Sequence, residues 1–276
     1  MTPTNQQFSL ALETLAELKS DGEITATSPK PVPAAPSLKD VLHDIGPLPR
    51  EALLLGVASD GLPVLLNLHD PIPGPILVVS DAGAGKTQFL QNIAHVISRV
   101  HEERDAQYGV VTKHPDEWKG VEETPHQVGI FPTYHRKTDE FLLSLASWAH
   151  GNKNAHQSVL LLIDDLEETS KLDLDTVQNL RWLILRGPSR RVWPVITMNA
   201  ERYGQILNWV PSFRTRIFGY IKNKRVAEAL GGDKDAGFDK LQPQLQFSLR
   251  EGDHWTRFWI VTRFSDKYDT GVDQAD

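Results

Sequence analysis

The sequence predicts an α/β domain in which a mainly parallel sheet is flanked by helices, with a β-hairpin near each end. Three observations predict it. The short apolar run "GPILVVS" (74–80) passes through the glycine-bearing turn "DAGAGKT" into an apolar stripe of helical spacing. Beyond that turn, strand-like and helix-like runs alternate, as they do when parallel strands are joined by helical crossovers. The most apolar run, "SVLLLI" (158–163), has no polar alternation, which is the pattern of a strand covered on both faces.

Taken in order, residues 1–45 differ from the rest and read as a flexible N-terminal arm. Within it, "FSLALETLAELK" (8–19) has helical apolar spacing, and "TSPKPVPAAPS" (27–37) reads as an extended proline-rich linker. A compact unit is expected over 46–270. It opens with "EALLLGVASDGLPVLLNL" (51–68), two apolar runs around a Ser-Asp-Gly turn, a hairpin signal. The strand 74–80 follows, then a helix whose stripe is Leu90, Ile93, Ala94, Ile97 and Val100. "YGVVT" (108–112) and "QVGIF" (127–131) read as strands and "DEFLLSLASWAH" (139–150) as a helix. After 158–163 come a helix in "VQNLRWLILRG" (177–187) and strands in "RVWPVITM" (191–198) and "RTRIFGYI" (214–221). "QLQFSLREGDHWTRFWIVTRF" (244–264) is a closing hairpin that turns near Glu251, Gly252 and Asp253. The seven tryptophans are scattered through strand and helix patterns and are expected in the core.

Composition narrows the function classes. The chain of 276 residues is 40% hydrophobic and 24% charged, ordinary globular material. No apolar run approaches the ~20 residues that span a bilayer, so membrane insertion is not expected. The chain has no cysteine, which excludes disulfides and thiolate metal sites and suits a reducing cytoplasm. A formal net charge of −7 argues against a protein coated in nucleic acid, though not against a basic surface confined to one groove or pore.

The chemistry centres on the turn after the 74–80 strand. Backbone N–H groups in such a turn, with the positive end of the next helix, hold phosphates. Ser80, Asp81, Ala82, Gly83, Ala84, Gly85, Lys86, Thr87 and Gln88 are expected to form that cradle. Gly83 and Gly85 allow close approach, Lys86 reaches the β- and γ-phosphates of ATP, and Thr87 supplies a hydroxyl to Mg²⁺. The common pattern has glycine where this chain has Ser80, which weakens the match without removing the loop.

"LLLIDD" (160–165) supplies carboxylates downstream. Asp164 is placed to hold Mg²⁺, as a Walker-B aspartate does, and Asp165 to orient and deprotonate the attacking water. Glu167 and Glu168 are expected to point elsewhere. Asn199, at the end of "VITMN", is a candidate sensor of the γ-phosphate, since its amide both donates and accepts.

These pieces in this order resemble the FtsK/HerA class of P-loop motor ATPases. The resemblance covers residues 50–266 and includes the hairpin leading into "PGPILVVSDAGAGKT", then "GVVTKHPDEW" with Lys113, "VWPVITMN", "VPSFRTRIFGYIKNKRVAEALGG" and "FWIVTRFSD". Ser80, Asp165 and Asn199 depart from the common pattern. The resemblance implies a RecA-like P-loop NTPase core and an ATP-hydrolysing, hexameric ring that translocates or packages DNA. It also implies ATP at subunit boundaries, completed by an arginine from the neighbour. Arg216 and Arg186 are the leading candidates, with Arg190, Arg191 and Arg214 alongside. "TYHRKTDE" (133–140) and "KNKR" (222–225) are the compact basic clusters that could line a pore. An ATP-dependent assembly module with slow hydrolysis is the alternative.

Overall fold

The computed structural model describes residues 35–121, 124–152, 156–251 and 254–261. The helix expected over 8–19 and most of the proline-rich stretch lie outside these residues, as does the tip of the closing hairpin.

Ten strands form one sheet in the order β2-β1-β10-β9-β8-β3-β7-β6-β4-β5. They are β1 (Ala52–Ala58), β2 (Pro63–Asn67), β3 (Ile76–Ser80), β4 (Ala106–Thr112), β5 (Gln127–Pro132), β6 (Ser158–Asp164), β7 (Val192–Asn199), β8 (Thr215–Phe218), β9 (Gln246–Glu251) and β10 (His254–Trp259). From β8 to β5 every neighbouring pair is parallel. β9 joins β8 antiparallel, and the rest of the sheet stays antiparallel to β2. Both terminal hairpins are therefore part of the main sheet: β1 pairs with β10, and β9 stitches them to the parallel half.

The helices are α1 (Leu38–Ile45), α2 (Lys86–Val100), α3 (Lys137–Gly151), α4 (Leu166–Thr169), α5 (Leu174–Arg186) and α6 (Lys224–Gly231). α1 falls inside the stretch expected as arm. Ser37 caps it by accepting the Asp40 N–H at 3.1 Å, and Leu38 and Val41 are buried, so the packed unit begins earlier than residue 46.

Burial explains the apolar runs. Along β6, Leu160 and Leu162 point into the core shared with α2, while Val159, Leu161 and Ile163 point into the core under α3 and α5. β3 divides in the same way, with Ile76 and Val78 on one side and Leu77 and Val79 on the other. Each such side chain contributes roughly 1.5–3 kcal/mol by leaving water. On α2 the expected stripe is buried at Leu90, Ile93, Ala94 and Ile97. Trp118, Trp193, Trp209 and Trp259 are buried; Trp148, Trp182 and Trp255 pack partly buried against the second core.

β8 is shorter than the sequence pattern suggests, because the chain leaves regular pairing at Gly219. It still follows β3 upward: Gly219 N–H donates to Val79 O at 2.8 Å, and Asp81 N–H donates to Tyr220 O at 3.0 Å. This brings the 219–222 segment against the turn that follows β3.

Candidate functional site

The central parallel strands β3, β7 and β6 end at the same edge of the sheet, which is where open α/β sheets place their ligands. β3 ends at Ser80, β7 at Asn199 and β6 at Asp164. The turn 81–85 then starts α2 directly. Gly85, at φ +100°, is its first flanking residue, and no side chain caps the helix there. The first N–H groups of α2 thus have no side-chain cap, and a helix start of this kind suits an anion.

Ser80 is fully buried, with its hydroxyl donating to Asp81 O at 3.3 Å. Room for its side chain comes from the neighbouring segment. A Cβ on Gly219 would sit 3.0 Å from the Ser80 Cβ, so the missing side chain is at Gly219 and not at position 80. The departure from the common glycine is accommodated across the sheet.

Asp81 anchors the loop. Its Oδ2 accepts the Lys222 N–H at 2.8 Å, which sets the basic stretch 222–225 beside the loop. The Lys86 ammonium donates to Ser80 O at 3.1 Å and Asp81 O at 2.9 Å. Burial lowers its pKa, opposed by the field of Asp164, Glu167, Asp165 and Asp81. Lys86 is therefore a desolvated cation surrounded by acidic groups at the mouth of the loop.

The Thr87 hydroxyl donates to Asp164 Oδ2 at 2.6 Å, and Thr197 on β7 donates to Asp164 Oδ1 at 2.8 Å. Burial raises the Asp164 carboxyl above its ordinary range, and these two hydroxyls oppose that. Thr197 was not singled out by the sequence. Its signal was only its position, two residues before Asn199 on a strand next to β6.

The second acidic position differs from expectation. Asp165 caps α4 by accepting the Glu168 N–H at 2.9 Å, so one of its oxygens serves the helix. Glu167, expected to point away, is instead 1% exposed and accepts the Asn199 N–H through Oε1 at 2.8 Å. Its Oε2 has no hydrogen-bond partner among the described residues. Burial and the charge of Asp165 push its carboxyl up to about 7, with Lys86 pulling the other way. The turn of α4 rotates Glu167 inward, which spacing alone does not reveal. Glu168 does face outward, to Lys113 at 3.1 Å and Lys171 at 2.8 Å. The Asn199 side chain accepts the Glu201 N–H at 3.1 Å and caps the turn that follows β7.

The arginines divide into two groups. Arg216 is drawn inward, donating to Leu230 O at 3.0 Å and Val210 O at 3.2 Å, and Arg191 donates to Leu68 O at 3.2 Å. Both guanidinium groups are occupied within their own chain, which argues against Arg216 reaching a neighbour. Arg186, at the end of α5, and Arg214 are exposed.

An open cleft of about 370 Å³ is lined by Gly83, Gly85, Lys86, Thr87, Gln88, Gln91, Glu117 and Gln244. Among the described residues no group of three or more His, Cys, Asp or Glu could hold a metal unaided. The Thr87–Asp164 pair still fits Mg²⁺, a hard cation commonly held by one or two protein oxygens together with substrate phosphates. Among the described residues no helix is long and apolar enough to cross a membrane.

No protein-family model matches the chain, and no curated protein matches it in sequence. Solved structures do match. EccC of Thermomonospora curvata (ATPases 2 and 3, in complex with a signal sequence peptide) aligns at TM-score 0.67 and 15% identity, over 90% of this chain and 46% of that one. EssC of Geobacillus thermodenitrificans (ATPases 2 and 3) aligns at 0.68 and 12%, over 87% and 49%. The fold is that of a RecA-like P-loop ATPase domain. The pCW3 conjugation coupling protein TcpA, in monomer form with ATPγS, aligns at 0.64 and 15%, over 95% and 82%. Two of these structures are described as ATPases, and the third is a conjugation coupling protein that holds an ATP analogue. The chain spans about half the length of the EccC and EssC structures it matches.

Proposed function

We propose that this chain is an ATP-hydrolysing motor domain of the FtsK/HerA type, acting in the cytoplasm as a homo-oligomeric ring, a hexamer by resemblance, that translocates or packages DNA. The observation that carries this reading is the meeting of Lys86, Thr87 and Asp164 at the ends of β3 and β6, beneath an uncapped helix start. A desolvated ammonium, a hydroxyl and a buried carboxylate gathered at one helix start support a phosphate-binding and metal-binding role.

In this reading the N–H groups at the start of α2 hold the β-phosphate and Lys86 turns from the loop carbonyls to the β- and γ-phosphates. Thr87 and Asp164 would hold Mg²⁺, which would withdraw charge from the phosphate oxygens. Asp165 retains the role of orienting water in the sequence reading, but its cap leaves one oxygen for that task. Glu167 is the better-buried acid, and through the Asn199 N–H it ties the end of β6 to the end of β7. Arg186 is the preferred arginine to act across a subunit boundary, since Arg216 is held at home. DNA contact falls to the exposed stretches 134–137 and 222–225; Tyr134 is 73% exposed, and Lys222 adjoins Asp81.

The capped Asp165 favours one second reading, an assembly module in which ATP binding organises a ring and turnover is slow. ATP hydrolysis measured with and without duplex DNA at low salt separates the two. Stimulation by DNA supports the motor. Hydrolysis indifferent to duplex DNA transfers support to the module, and the same assay with single strands or an unfolded polypeptide tests the other cargoes.

A further inference from the structure

The turn before β9 reaches back to the phosphate loop from the far end of the chain. Gln244 N–H donates to Ala84 O at 3.0 Å, and its Nε2 donates to Gly83 O at 3.3 Å. Gln244 has φ +68°, a left-handed conformation that glutamine adopts only where its surroundings hold it. Its Cα lies 2.5 Å from where a Cβ on Gly85 would stand. Gly85 is therefore glycine for two reasons, its own φ of +100° and the backbone of Gln244 against it.

We propose that Gln244 is a positioning residue of the nucleotide site, a brace that fixes the orientation of the phosphate-loop peptides. This rests on the nucleotide-binding reading above. In a trans peptide the C=O and N–H point in opposite directions. By holding Ala84 O toward its own backbone N–H, Gln244 turns the Gly85 N–H the opposite way, away from Gln244, and fixes that peptide at the edge of the cleft that Gly85 and Lys86 line. By holding Gly83 O, it keeps a second carbonyl from facing the phosphates, where its partial negative charge would repel them. Only one residue separates Gln244 from β9, so the antiparallel half of the sheet sets the shape of a loop that belongs to the parallel half.

The brace acts first through its backbone, and this gives a distinctive order of effects. Gly at 244 keeps the left-handed turn and the N–H bond to Ala84; Ala disfavours that turn and loses the amide as well. Asn tolerates the turn and retains an amide. The full chain is titrated with a fluorescent ATP analogue and Mg²⁺, and each variant's melting temperature is taken without nucleotide. The expected result is a Kd raised about threefold in Gln244→Gly, about tenfold or more in Gln244→Ala, and near wild type in Gln244→Asn. The melting temperature of Gln244→Gly should match or exceed that of wild type. Equal Kd values in the Gly and Ala variants overturn the brace, as does an Ala variant that melts earlier while binding normally. Lys86→Ala is the control. If wild type binds no better than Lys86→Ala, the nucleotide reading fails and takes the brace with it; if wild type binds and the Gln244 variants match it, the brace fails alone.

Discussion

Thr87 and Asp164 lie 77 positions apart in the chain, and their side chains meet at 2.6 Å. The contact joins the first turn of α2 to the end of β6, with β7 between β6 and β3 and Thr197 of β7 holding the other carboxylate oxygen. In the proposed function this hydroxyl and carboxylate would form half of a Mg²⁺ site whose other half is the nucleotide. Replacing Asp164 with Asn keeps the shape and removes the charge. In Asp164→Asn, Mg²⁺-dependent turnover should fall by about 100-fold or more, since metal-assisted charge stabilisation is worth several kcal/mol. A turnover rate that still rises normally with Mg²⁺ would contradict the assignment.

Glu167 gives the fold a pH signature. The folded chain holds the Glu167 proton up to about 7, whereas the unfolded chain releases it in the ordinary glutamate range. The unfolded state thus binds fewer protons between those values, so stability is greatest below the ordinary range and declines as pH rises through about 7. Wild type should melt at a lower temperature at pH 8 than at pH 5. Glu167→Gln should flatten that slope, with Asp164, also raised by burial, supplying a remainder of the same sign. An unchanged slope in the variant would assign the effect to another group.

The exchange between Ser80 and Gly219 is testable as a double-mutant cycle. Gly219→Ala alone places a Cβ 3.0 Å from both Ser80 and Phe247 and should cost on the order of 1–3 kcal/mol by overpacking. Adding Ser80→Gly should recover part of that loss, leaving the Phe247 contact as the rest. Strictly additive melting-temperature shifts would show that the two positions do not share the space.

Arg216 and Arg186 should behave as opposites. Arg216→Ala strands the carbonyls of Leu230 and Val210, costing about 2–3 kcal/mol and lowering the melting temperature by roughly 5–10 °C. Arg186→Ala should leave melting and nucleotide affinity unchanged but reduce turnover in the assembled protein. A normal rate in Arg186→Ala would pass the trans role to Arg214, the other exposed candidate.

Much of the fold was legible because its signals are local. The strand, glycine turn and helix around Lys86 are written in consecutive residues, and the doubly covered β6 shows as an unbroken apolar run ending at Asp164. Pairing between distant hairpins is not local: nothing in 51–68 or 244–264 states that β1 lies against β10. The same limit applies within the site. Thr197, Glu167 and Gln244 matter through where the backbone turns them, and the inward turn of Glu167 follows from α4 beginning at Leu166, a shift of one position that spacing rules do not resolve. Arg216 fits the family-like Thr-Arg-Ile strand, yet its partners are two carbonyls brought near by α6 and the 210–212 turn.

The central claim is that Lys86, Thr87 and Asp164 together grip the triphosphate of a nucleotide. The most direct test is equilibrium binding of an ATP analogue to the full chain, with and without Mg²⁺, for wild type and Lys86→Ala. Binding that is strengthened by Mg²⁺ in wild type and lost in the variant is the predicted result. Equal affinity in both proteins, whatever the Mg²⁺ concentration, would contradict the account.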